Sequence, residues 1–152
     1  MQGGSVSKVI MTRFTVPFVA GLQRPRMTGG KFPRQYDTSV NRMNKAHIQS
    51  AYRDACREQH GAQVCAQKGV PVVMVIVVYK PLPIHAPKAT TAAPFVAKPD
   101  ADNIAKLVLD ALNGIAYADD KQVVGLTTIK HERVRGIEPQ THITITYRSE
   151  DD

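Results

Sequence analysis

Cysteine is scarce in this chain of 152 residues: Cys56 and Cys65 are the only two, and they form no CxxC pair. With no Cys/His zinc pattern either, a disulfide framework and a structural zinc are not expected. Both thiols read as reduced side chains of a cytosolic protein. Long apolar runs are missing too. The longest, from Val70 to Tyr79, is strand-sized, well short of the roughly 18–20 residues of a membrane span. Near the N-terminus Lys8 is not followed by an apolar core and a small-residue cleavage site, so no signal peptide is expected. The five histidines, His47, His60, His85, His131 and His142, show no ligand spacing. The signatures of P-loop nucleotide hydrolysis, of dinucleotide binding and of a serine nucleophile elbow are all absent.

Acid is what the first part of the chain lacks. Residues 1–53 hold nine lysines and arginines against one acid, Asp37, within a whole-chain net charge of +7. A basic half of this kind suits a polyanionic partner, although a solvated basic surface with no partner has the same composition.

The length suits one compact domain able to bury most of its surface unaided. Residues 1–7 and 149–152 read as loose tails. Lys8–Phe18 alternates as a strand stopped at Pro17, and Gly21–Arg34 reads as a loop or irregular hairpin. Asn41 or Asn44 would cap a helix running to about His60, with Ile48, Ala51, Tyr52, Ala55 and Cys56 on one stripe. Val70–Tyr79 suits a central strand buried on both faces. Pro81 to Pro99 contains five prolines and reads as a long, mobile loop. Ile104, Leu107, Val108, Ala111 and Leu112 predict a helix, with Asp102 as N-cap and Gly114 as its stop. Val123–Lys130 and Thr141–Tyr147 alternate as strands. The expected fold is α+β: one small mixed sheet packed by two main helices, in the order β-α-β-α-β-β.

Four features then lie close together: Asp100, Asp102, Lys106 and the pair Asp119-Asp120. The first two flank a helix start, where the dipole favours ionised carboxylates. Converging carboxylates repel each other unless a cation sits between them. Hard oxygen donors suit Mg2+ or Mn2+, which can activate water and offset phosphoryl charge. Each residue also has a plainer role. Asp102 can be only a cap, Asp119-Asp120 only a turn, and Lys106 only a solvated residue or an i,i+4 partner of Asp102. The helix spans about 17 Å, so Asp119-Asp120 can reach its start only by tertiary packing or from a second subunit.

The run Lys98-Pro99-Asp100-Ala101-Asp102-Asn103-Ile104-Ala105-Lys106, then Leu109-Asp110-Ala111-Leu112-Asn113-Gly114, then Asp119-Asp120-Lys121-Gln122-Val123-Val124, resembles the RusA family of Holliday junction resolvases. The family pattern there is D-x-D-N-x-x-K, a D-A-L element, and D-D-x-Q-V. Gln23-Arg24-Pro25-Arg26 is similar to a segment of phage-type members. The resemblance implies a homodimeric endonuclease that needs Mg2+ or Mn2+ and makes paired nicks in a four-way DNA junction, with no membrane and no small-molecule cofactor involved. It assigns metal binding and catalysis to Asp100, Asp102 and Asp120, an essential role to Lys106, a lesser metal role to Asp119 and positioning to Asn103. Arg24, Arg26, Lys31, Arg34 and Lys98 would hold the DNA backbone. Pro99 departs from members that carry arginine before the first aspartate, leaving Lys98 as the nearest cation. Two other readings stand beside this one: a junction-binding protein without catalysis, and a general metal nuclease acting on flaps or RNA.

Overall fold

Period-two and helical patterning resolve into an α+β fold, two helices against a mixed four-stranded sheet. The computed structural model describes residues 6–23, 26–32 and 35–151. Strand β1 (Val6–Val16) turns Thr12, Phe14 and Val16 inward and leaves Val9 and Met11 outward. It pairs antiparallel with β8 (Gln140–Asp151), and β8 pairs antiparallel with β4 (Val72–Tyr79). The fourth strand, β6 (Val123–Lys130), runs parallel to β4, so the order across the sheet is β1-β8-β4-β6. A parallel pair needs a crossover between its strands. Here that crossover contains the helix α2 (Ala101–Leu112).

The first helix, α1 (Ser39–His60), starts earlier than its asparagines suggested. Thr38 is the cap, its hydroxyl accepting from the Asn41 amide at 3.1 Å. Asn41 is needed elsewhere. Its buried side chain accepts from the Gln23 amide at 2.9 Å and donates to the Gln23 carbonyl at 3.0 Å, tying residue 23 to the helix. Ile48, Tyr52, Ala55 and Cys56 face the sheet, and Phe14 meets the Tyr52 ring edge-on at 5.8 Å. Burying each such large side chain contributes roughly 1.5–3 kcal/mol.

Three expectations need correcting. Strand β4 is central but covered on one face only: Val72, Met74, Ile76 and Val78 are buried, whereas Val73 is 46% exposed. Alternate residues of a strand point to opposite faces, and the core gathers on the side where the helices pack. Of the expected loose tails, residues 6–7 and 149–151 are paired in the β1–β8 ladder, which runs from Val6↔Asp151 inward, and residues 1–5 and 152 lie outside the described residues. The small strands β2 (Arg26–Met27), β3 (Gln35–Tyr36), β5 (Ala92–Ala93) and β7 (Arg133–Val134) also interrupt the expected order. The first two form an antiparallel hairpin that starts within the expected loop and closes just beyond it. The other two anchor the proline-rich segment, and the Arg135 guanidinium adds bonds to the carbonyls of Pro87 at 2.8 Å and Thr90 at 3.0 Å. Cys56 and Cys65 are both free thiols. Among the described residues, no helix is long and apolar enough to cross a membrane.

Candidate functional site

The first turn of α2 is where the chemistry-bearing residues begin. Asp100, not Asp102, occupies the N-cap position, with an extended backbone (φ −70°, ψ 152°). Its carbonyl accepts the Ile104 amide at 3.1 Å and closes the turn, while its side chain makes no capping bond. Asp102 lies inside that turn, exposed and likewise without a hydrogen bond among the described residues. Two carboxylates thus stand free at the positive end of a helix.

That turn separates two clefts. Asp102 lines one of about 550 Å3, with Lys106, Asp110, Asp120 and Thr128. Asp100 lines its neighbour, of about 730 Å3, with Asn103, Lys98, Lys80 and Gln23. Lys106 forms no ion pair with Asp102 among the described residues, so its ammonium remains available to a ligand.

Asp120 reaches the first cleft by tertiary packing within one chain. After α2 the chain turns at Gly114, whose φ of 78° suits a residue without Cβ. Tyr117 is buried and donates its hydroxyl to the Leu109 carbonyl at 2.9 Å, pinning the return to the helix. Burial raises the Tyr117 pKa, and the nearby charges of Asp120 and Asp110 raise it further. Asp110 and Asp120 both line the cleft of Asp102. A short 3-10 turn, Asp120–Gln122, follows. Asp119 caps it, accepting from the Lys121 amide at 3.0 Å, and lines a different cleft with Lys68 and Lys121. That amide bond, foremost, holds the Asp119 carboxyl below its usual range.

The cleft therefore runs along the helix. Asp102 and Asp110 are eight residues apart, or roughly 12 Å along the axis. Among the described residues, no three acidic, histidine or cysteine side chains converge closely enough to enclose an ion. The donor set nonetheless fits Mg2+, which usually keeps several waters and binds through one or two carboxylates plus substrate phosphates. Asp100 and Asp102 are free oxygen donors of that kind.

The described cations expected to hold DNA lie on different elements. Lys98 lines the cleft of Asp100, Arg26 starts the β2–β3 hairpin, and Lys31 is exposed within it. Arg24 and Arg34 lie outside the described residues. Asn103 joins the two halves of the site through its backbone, its carbonyl accepting the Leu22 amide at 3.1 Å. Gly21, one residue earlier, is packed on Pro99 so closely that an added Cβ would lie 2.6 Å from the proline Cβ. Gly21→Ala is therefore expected to push residues 17–23 off the start of α2. Overpacking of this kind costs about 1–3 kcal/mol, which urea denaturation would measure. An unchanged midpoint would mean that the contact yields freely.

Three residues of interest escaped the sequence reading. Asp110 follows Asp102 and Lys106 at i+8 and i+4, so helical spacing alone would have found it. Gln122 lies in the motif, but only the fold shows that its buried amide supports the aspartate turn. Lys80 is twenty residues from Asp100 in sequence, and no local pattern connects them.

The family model described as "Endodeoxyribonuclease RusA" matches residues 18–146. Over 103 residues the chain is 34% identical to a Bacillus subtilis (strain 168) protein described as "Uncharacterized protein YqaN", which covers 59% of this chain and 72% of that protein.

Proposed function

The chain belongs to the RusA endodeoxyribonuclease family, and on that premise we propose that it resolves four-way DNA junctions by paired nicks that depend on Mg2+ or Mn2+. The observation that carries the reading is a single exposed cleft lined by Asp102, Lys106 and Asp120, with Asp100 one residue beyond its edge. Asp100, Asp102 and Asp120 would hold the ion. Asp119 is the weaker fourth candidate because it already caps its turn. When bound, the ion lowers the pKa of a water and offsets charge on the phosphoryl group. Lys106 places a free ammonium one helical turn after Asp102, where it stabilises charge developing on a phosphate oxygen. Asn103 orients the strand beside Asp100. Lys98, Arg24, Arg26, Lys31 and Arg34 contact the backbone without reading bases. The protein acts as a homodimer, since a substrate with two-fold character needs two symmetric cuts.

The test compares a synthetic four-way junction, a linear duplex and a single strand, each with Mg2+ and with EDTA. Nicking of the junction alone, lost in EDTA, is expected. Equal cutting of all three would indicate a general nuclease. Junction binding without nicking would leave a DNA-binding protein.

A further inference from the structure

Three half-buried cations gather on the far side of Asp100 without an acid to neutralise them. Lys80 donates to the Lys98 carbonyl at 3.2 Å, Lys130 to the Ala97 carbonyl at 2.7 Å, and Arg133 to the Pro81 carbonyl at 2.9 Å. Among the described residues, none of the three has a carboxylate within ion-pair distance. Phe95, buried, lies under two of them, with Lys130 at 4.4 Å and Lys80 at 5.6 Å from its ring centre. Burial, then the neighbouring charges of Arg133 and Lys130, lowers the Lys80 pKa. Like charges held this close are costly unless an anion joins them. A lysine has three donors and an arginine five, so one bond to a carbonyl leaves the others unused.

The cleft of Asp100 continues past Lys80. A second cleft, of about 470 Å3, shares Val19 and Lys80 with it and is lined by Arg133 as well. The two adjoin at Val19 and Lys80 and together make a groove that carries Lys98, Lys80 and Arg133.

We infer that this groove is a second phosphate-binding track, in which Lys80 and Arg133 hold the DNA backbone leading away from Asp100 and Lys130 props them from behind. The inference rests on reading the chain as a DNA nuclease and adds a surface outside the basic N-terminal part of the chain. Lys130 is a positioning residue, acting through Phe95 and the Ala97 carbonyl.

The test measures the affinity of the full chain for a labelled four-way junction in EDTA over a salt series. The variants are Lys80→Gln, Lys80→Arg and Arg133→Gln. The control is Arg57→Gln, on α1, where Arg57 already faces Asp54 at 3.4 Å. Each neutralised phosphate contributes about 0.9 to the slope of log affinity against log salt. Lys80→Gln and Arg133→Gln are each expected to lower the slope by about one and to weaken binding severalfold. Lys80→Arg should restore the wild-type slope, and Arg57→Gln should keep it. Wild-type slopes in both glutamine variants would overturn the track. So would a Lys80→Arg variant as impaired as Lys80→Gln, since the lysine would then act only through the fold. Wild-type protein that binds no DNA removes the nuclease reading and the track together. Wild-type binding with unaltered variants removes the track alone.

Discussion

Asp102→Asn is expected to abolish cleavage while leaving junction binding intact or tighter. The carboxylate stands in the first turn of α2, exposed and free of hydrogen bonds among the described residues, so its removal disturbs no fold contact. Asparagine keeps the shape and removes the charge. An uncharged amide is a poor ligand for a hard cation, so the rate should fall by at least about a hundredfold, the scale of losing one electrostatic group from a charge-stabilising site. Binding moves the other way, because a negative charge facing the phosphates is gone. Nicking with Mg2+ and affinity in EDTA separate the two effects. Wild-type nicking by this variant would sink the assignment of Asp102. A fall in affinity matching the fall in rate would make it a binding residue instead.

Gln122→Ala should damage stability and cleavage together. The buried amide donates to the Gln67 carbonyl at 2.7 Å and the Val70 carbonyl at 3.1 Å, and accepts from the Asp119 amide at 2.9 Å. Alanine takes the partner from the Val70 carbonyl and the Asp119 amide, whereas the Gln67 carbonyl keeps the Val70 amide at 3.0 Å. Each of these part-buried groups costs at most about 1–3 kcal/mol when orphaned, and solvent and relaxation recover part of it, so a loss of about 1–3 kcal/mol is expected. Urea denaturation measures this. The rate should fall under conditions where the variant is fully folded, because Asp120 loses the turn that aims it. Asp119→Ala removes mainly the cap of that turn and should leave more activity. If Asp119→Ala proved the more damaging to cleavage, the roles assigned to the adjacent aspartates would be exchanged.

Much of this architecture was legible in the sequence, because local patterning decides it. Helix α2 announced itself by its apolar stripe, and β6 by its alternation. The cap of α1 is not legible locally, because Asn41 serves a contact with Gln23, eighteen residues away, which no local rule contains. Strand β4 looked buried on both faces because a run of valines carries no mark of which face stays open. Its outward valines are shielded in part by neighbouring strands rather than by a helix. In the site, the aspartates and Lys106 were visible as a motif. The meeting of Asp120 with the helix was not, since it depends on Gly114, Tyr117 and Gln122 turning the chain back. The separation of Asp100 and Asp102 into two clefts was equally hidden, because it follows from where residues 17–23 pack. The cations beyond Asp100 come from β4, β6, β7 and their connections, brought together by sheet pairing alone.

The central claim is paired nicking of a four-way junction, and mapping the cuts tests it most directly. A junction is prepared with each of its four strands labelled in turn, and incubated with the full chain and Mg2+. Two nicks are expected, at two-fold-related positions in opposing strands, with the other two strands intact in that orientation. Cuts at unrelated positions in all four strands, or the same pattern on a linear duplex of matching sequence, would contradict the account.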